Sequence, residues 1–209
     1  MKPFILVCIL VLGVAGGATA GGVSTPAREA GTSAGKADVM PAGVLLRISP
    51  EIRQLTIVAS LSSHQGATWS YPVFAGPAFV DLLTNFVRSR FGSVTTDASK
   101  RSRGTVTFEL VELQPEIVEA GSMINISIEV TTRLTVSDSA GRTVFSMVAT
   151  GRGQRVASNF PADPNRPGRS NAYVIDIELA NRSAIENMLQ KFGVAINDNA
   201  ELRQFFVTP

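Results

Sequence analysis

The chain has 209 residues, with 19 Lys and Arg against 17 Asp and Glu, and a single His and a single Cys. That near-neutral balance excludes the strong positive field on which nucleic-acid and anionic-surface binding draw. One cysteine excludes an internal disulfide framework and a thiolate metal site.

The first twenty residues read as an export signal. Lys2 supplies a positive charge, Phe4 to Val14 an uninterrupted apolar run, and Ala18-Thr19-Ala20 the small-x-small pattern before a cleavage site, predicting a mature start at Gly21. The charge-free run from Pro3 to Ala18 is shorter than the ~20 apolar residues of a spanning helix. Cys8 lies inside the run behind Val7, so the segment has no lipobox, and Cys8 leaves with the peptide. Residues 1–20 are therefore expected to be a signal peptide that directs the chain to the periplasm. Membrane association would require that peptide to remain as an anchor.

Gly21 to Gly43 is mostly Gly, Ala, Ser, Thr and Pro. It holds too little apolar surface to offset its ordering entropy, so residues 21–43 read as a flexible tether. Residues 44–209 are expected to form a single α+β domain.

Val44–Ile48 and Ile52–Ala59 are rich in branched residues and read as strands separated by Ser49-Pro50, where the proline interrupts any continuous ladder. A polar turn spans Ser62 to Gly66, and Thr68–Phe74 reads as a further short strand carrying Trp69 and Tyr71. Phe79, Leu82, Leu83, Phe86, Val87 and Phe91 recur at helical spacing and predict a helix over 76–91. Thr105–Leu113 alternates, with Val106, Phe108 and Leu110 inward. Ile124–Ser137 alternates for its whole length, the pattern of a long strand with one buried face. Asp138-Ser-Ala-Gly141 supplies a turn, and Arg142–Arg155 continues as the partner of a hairpin. Ile177, Ala180, Ala184, Ile185, Met188, Leu189 and Phe192 predict a second helix, with Gly193 placed to end it, and a terminal helix over 198–206 follows. The sum is an α+β fold: an antiparallel or mixed sheet with a long β-hairpin and two main helices packed on one face. No internal repeat is present.

Few residues carry a chemical signal. His64 sits in a polar turn without a second imidazole or a thiolate to complete a zinc site. No Gly-x-Ser-x-Gly elbow occurs. Gly151-Arg-Gly-Gln-Arg has the glycines of a phosphate loop without its strand-to-helix context, and reads as a bulge or twist near the strand's end. Lys100, Arg101 and Arg103 form one basic cluster and Arg152 and Arg155 another. Either they bind anionic headgroups or an acidic partner, or they are solvated charge, which the neutral total favours. Trp69 and Tyr71 read as packing beneath the helix rather than as an aromatic contact surface. The loop Asn159–Asn171, with three prolines and no apolar periodicity, is longer than compact domains usually use and is the best candidate contact region. Asn125-Ile-Ser127 and Asn181-Arg-Ser183 match the glycosylation sequon but fall in regular elements. No catalytic, cofactor-binding or metal-ligating residue is expected, and no cofactor.

The order of elements, and above all the run Thr105 to Gly153 with its alternating hairpin, resembles the YajG-type envelope lipoproteins of bacteria. Auxiliary lipoproteins of ABC transporters are similar. The opening Ile48-Ser-Pro-Glu-Ile-Arg-Gln-Leu55, helix 76–91 and the region Ala184–Phe206 extend the likeness over most of the mature chain. The missing lipobox is a departure from that family and leaves its membrane anchoring without support here. The resemblance implies a non-enzymatic envelope role and transfers no functional residue. The expectation is an exported protein that acts through contact with an envelope protein partner, without nucleic acid. The alternative is a carrier holding an apolar or lipid-like ligand between sheet and helices, for which an apolar pocket is the discriminator.

Overall fold

A computed structural model describes residues 39–62, 68–120, 123–158 and 170–207. Its most regular element is the strand whose alternation is strongest. In β6 (Met123–Asp138) every even-numbered residue from Ile124 to Asp138 is buried, and the odd-numbered ones are exposed or half-buried. On either side lie β5 (Gly104–Ala120) and β7 (Thr143–Ser158), both antiparallel to it, as expected for three consecutive strands. Gly141, with φ of 83°, supplies the left-handed turn position between β6 and β7.

The strand read from Thr105 extends to Ala120, well past Leu113. A bulge explains why the alternation breaks. Leu110 stands opposite Thr132 and Glu112 opposite Thr131, so Val111 is the extra residue. Beyond it the parity inverts: Val106, Phe108 and Leu110 face the core before the bulge, and Leu113 and Ile117 take that face after it.

Two shorter strands complete the sheet, in the order β4-β1-β5-β6-β7. β1 (Met40–Ile48) runs parallel to both β5 and β4 (Phe91–Thr95), which makes the sheet mixed. β1 begins at Met40, ahead of the expected Val44. Met40 is buried and its N–H donates to the Arg90 carbonyl at 2.8 Å, so residues 40–43, read as tether, belong to the sheet. After β1 the chain forms a single helical turn, α1 (Pro50–Arg53), where a strand was expected at Ile52. Pro50 at the first helical position has no N–H to lose, and Gln54 N–H closes the turn onto its carbonyl at 3.0 Å. β2 (Thr56–Ser62) and β3 (Thr68–Phe74) then pair as an antiparallel ribbon, with Ile57 opposite Val73 and both buried. Most of the expected turn at 62–66 lies outside the described residues.

The helices pack on one face of the sheet. α2 (Gly76–Arg88) buries Phe79, Leu83 and Val87. It stops before Phe91, which the helical spacing had included. Ser89 Oγ donates to the Phe86 carbonyl at 2.7 Å and Arg90 N–H to the Val87 carbonyl at 3.0 Å. This turn lets Phe91 reach the core from a strand rather than from a helix. α3 (Ser170–Asp198) buries the predicted face from Ile177 to Phe192 but passes through Gly193 without ending. A Cβ at Gly193 would stand 2.7 Å from Arg90 Nη2, so a larger residue there requires the end of that side chain to shift. α4 (Ala200–Val207) follows, capped by Asn199, whose Oδ1 accepts from Leu202 N–H at 2.7 Å. Edge-to-face ring pairs fill the space between layers: Phe108 with Phe192 at 6.1 Å and with Phe86 at 6.5 Å, and Phe91 with Phe206 at 5.1 Å.

Gly151 and Gly153 do not form a bulge: the β6–β7 register is continuous through both. They are the seat of α3. A Cβ on Gly151 would overlap the Ala184 carbonyl oxygen, and one on Gly153 the Ala180 carbonyl oxygen. Glycine in the strand beneath alanine in the helix brings two backbones together where any side chain would hold them apart.

Candidate functional site

With the helices on one side, the other face of the sheet is open among the described residues. Its chemistry follows from the odd positions of β6 and their neighbours. Thr131 and Thr150 hydroxyls meet at 2.8 Å, Arg152 Nε donates to Ser127 Oγ at 3.0 Å, and Arg133 Nη1 lies 3.6 Å from Glu109 Oε2. The ion pair is half exposed, and such pairs contribute at most about 1 kcal/mol. The result is a surface rich in hydroxyls and mixed charge, without convergent acid–base groups among the described residues.

The structure separates the two basic clusters. Arg152 pairs with Glu129 in register, whereas Arg103 precedes Gly104, which pairs with Asp138. Nine residue steps along β6 separate those rows, about 30 Å of strand. Arg155 stands opposite Ile126, a core-face position, so it and Arg152 leave β7 on opposite faces. These cations do not converge on one anion. Arg103 lies 5.5 Å over the Phe205 ring and lines an open depression of about 400 Å³ with Val144, Glu201, Gln204 and Phe205.

The carboxylates with displaced titrations serve turns. Asp138 Oδ1 accepts from the N–H groups of Ala140 at 2.9 Å and Arg142 at 2.8 Å, and Oδ2 accepts from Arg142 Nε at 2.7 Å. The Arg142 main-chain N–H, with its side chain next, holds this carboxyl below the usual range. Asp97 is lowered in the same way by the Ser99 hydroxyl and main-chain N–H. Burial lowers the Arg90 titration, and this guanidinium reaches Asn197 Oδ1 at 2.8 Å and stacks 5.6 Å from the Phe86 ring, clamping α3 to α2.

His64 and most of the loop Asn159–Asn171 lie outside the described residues, as do the side chains of Trp69 and Tyr71. Asn181 of the second sequon is buried in α3, where no glycan has room. Among the described residues, no group of three or more His, Cys, Asp or Glu is placed to hold a metal ion, and no helix is long and apolar enough to cross a membrane.

One pair of contact-setting residues escaped the sequence reading. Lys191 Nζ donates to the Thr150 carbonyl at 2.6 Å and Asn187 Nδ2 to the Arg152 carbonyl at 2.7 Å. Both residues lie on α3, four positions apart and hence on one helical face, and both reach over the outer edge of β7. Their spacing was visible in the sequence, but the carbonyls they cover were not.

No protein-family model matches this chain, and no curated protein sequence matches it. Solved structures with a similar course of the chain include a minor lipoprotein from Acinetobacter baumannii, 12% identical, covering 76% of this chain and 92% of that one with a TM-score of 0.38. An uncharacterized lipoprotein B from Nitrosomonas europaea is 12% identical, covering 84% and 96% with a TM-score of 0.42. A hypothetical protein from Chlamydia trachomatis is 12% identical, covering 76% and 99% with a TM-score of 0.41.

Proposed function

We propose that this protein is exported to the bacterial envelope and works there without catalysis, through contact with an envelope protein, as an accessory to assembly or transport. The observation that carries the reading is the open face of the sheet, whose strands run for 16 and 17 residues and present hydroxyls and mixed charge. The export signal at residues 1–20 supplies the compartment. The interior favours this over the carrier. Four phenylalanines, Phe79, Phe108, Phe192 and Phe206, are fully buried between sheet and helices, and Gly151 and Gly153 bring α3 onto β7 with no room for a ligand between them.

The test places a photo-crosslinking residue at Thr135 or Ser127 on the open face, and at Glu186 on the exposed side of α3, in cells that express the protein natively. A single envelope protein captured from the sheet positions and absent from position 186 supports the reading. Equal capture at all three, or at none, sinks it. A lipid recovered from the purified protein by organic extraction would restore the carrier.

A further inference from the structure

The depression lined by Arg103, Val144, Glu201, Gln204 and Phe205 lies at the hairpin end of the sheet, on the side that carries the helices. Each wall is held by a different device. Arg103 N–H donates to the Gly43 carbonyl at 2.9 Å, which ties this residue to β1 just before β5 begins. Gly104, next in the chain, lets α4 sit low on the sheet, since a Cβ there would stand 3.3 Å from the Phe206 ring. Phe206 is buried and meets the Phe205 ring edge-to-face at 4.8 Å, so the ring beside the depression is fixed by the core. On β7, Val144 is the extra residue where the register with β6 shifts between Val136–Phe145 and Ser137–Thr143. It packs toward the core as Phe145 does, so the bulge adds an apolar group to the floor.

The charges around this floor are unmatched. Arg103 Cζ lies 5.5 Å over the Phe205 ring, a contact that holds a cation in place without supplying a counter-charge. Among the described residues neither Arg103 nor Glu201 takes part in an ion pair, although both line the depression. A guanidinium offers a planar fork of donors that matches a carboxylate in two parallel hydrogen bonds. One cation and one anion in the lining sum to zero, which disfavours a doubly charged anion. The volume of about 400 Å³ is near the lower limit of sites for small ligands.

We infer that this depression binds a monocarboxylate carried on an apolar body, either a free small acid or the last residue of a peptide. The carboxylate meets the Arg103 fork and the body lies on Val144 and Phe205. Glu201 at the rim repels the anion and keeps the affinity low. An open site of this size binds in the millimolar range, because few ligand atoms are buried to offset the entropy of association. The site stands apart from the open face of the sheet and does not rest on the contact proposed there.

The test follows the Val144 methyl resonances of the exported protein by NMR during titration with 3-phenylpropanoate, with N-acetyl-diglycyl-phenylalanine and with the amide of each. Both acids should shift these resonances saturably, and the amides should not. Tighter binding of the peptide acid than of 3-phenylpropanoate identifies a chain terminus as the source, and equal binding a free acid. Arg103→Gln should weaken the acids about tenfold or more, the effect of a lost charge-assisted bond. Glu201→Gln should tighten them about threefold by removing the like charge. Val144 methyls that stay in place, or acids that bind no better than their amides, overturn the proposal. So does a Glu201→Gln variant that binds the acids no more tightly, a readout that stands even if Arg103→Gln fails to fold.

Discussion

Gly153 and Ala180 meet backbone to backbone, and the next turn of α3 repeats the contact between Ala184 and Gly151. Strand and helix approach so closely because the strand carries only hydrogen where the backbone of α3 lies against it. The closeness lets Asn187 and Lys191, farther along the same helix, reach around the strand to its outer carbonyls. One packing choice thereby sets both the position of α3 and the cover over those carbonyls.

Gly153→Ala should be costly. Its Cβ would overlap backbone atoms of Ala180 and Ala184, and α3 cannot yield locally as a flexible side chain does. We expect a loss of about 3 kcal/mol, the upper end for overpacking, read as a lower urea midpoint at unchanged slope.

Gly193→Ala offers a contrast. The obstacle there is the end of the Arg90 side chain, which can swing aside at the expense of its bond to Asn197. Alanine gains about 1 kcal/mol over glycine within a helix, offsetting that loss. Stability should change by less than about 1 kcal/mol. A loss as large as that of Gly153→Ala would mean that Arg90 is locked in place.

Thr132 is fully buried on the core face of β6, and its hydroxyl has no hydrogen-bond partner among the described residues. Thr132→Val keeps the branched shape and removes the desolvated hydroxyl, so the variant should be more stable by about 1 kcal/mol. Equilibrium unfolding beside the parent chain decides it, and a destabilised variant would show that the hydroxyl has a partner.

Asp138 links the hairpin to pH. Its carboxyl is held below the ordinary value of about 3.9 by the Arg142 N–H, the Arg142 side chain and the Ala140 N–H. A group depressed in this way stabilises the fold above its unfolded-state value, and the contribution fades as pH falls through the folded-state titration. Asp138→Asn should therefore be less stable than the parent at neutral pH, and the difference should narrow below about pH 4. Parallel unfolding curves whose separation is independent of pH would contradict this.

Much of the architecture was legible in the residues. The strict alternation of Ile124–Ser137 admits only a half-buried strand, and the helical spacing of Ile177 to Phe192 only an amphipathic helix, because each pattern has one geometry that buries all its apolar groups. Reading failed where burial is compatible with two backbones. Phe91 continues the helical spacing of α2 yet enters the core from β4, and Ile52 is buried from a single helical turn rather than from a strand. The bulge at Val111 hid the second half of β5 by inverting its parity. The contact region was sought in the loop Asn159–Asn171, most of which lies outside the described residues, whereas an open sheet face is a property of what lies next to a strand.

By itself, the sequence determined the α+β class and the hairpin that runs through Asp138–Gly141, because each depends on neighbours along the chain. Only the tertiary structure decided the roles of its glycines. Gly151 and Gly153 read as a bulge or twist and serve instead as places where the backbone of α3 comes too close for a Cβ, and Gly193, read as a helix stop, lies inside α3 against the end of the Arg90 side chain. That requirement arises from residues distant in sequence, so no local pattern records it.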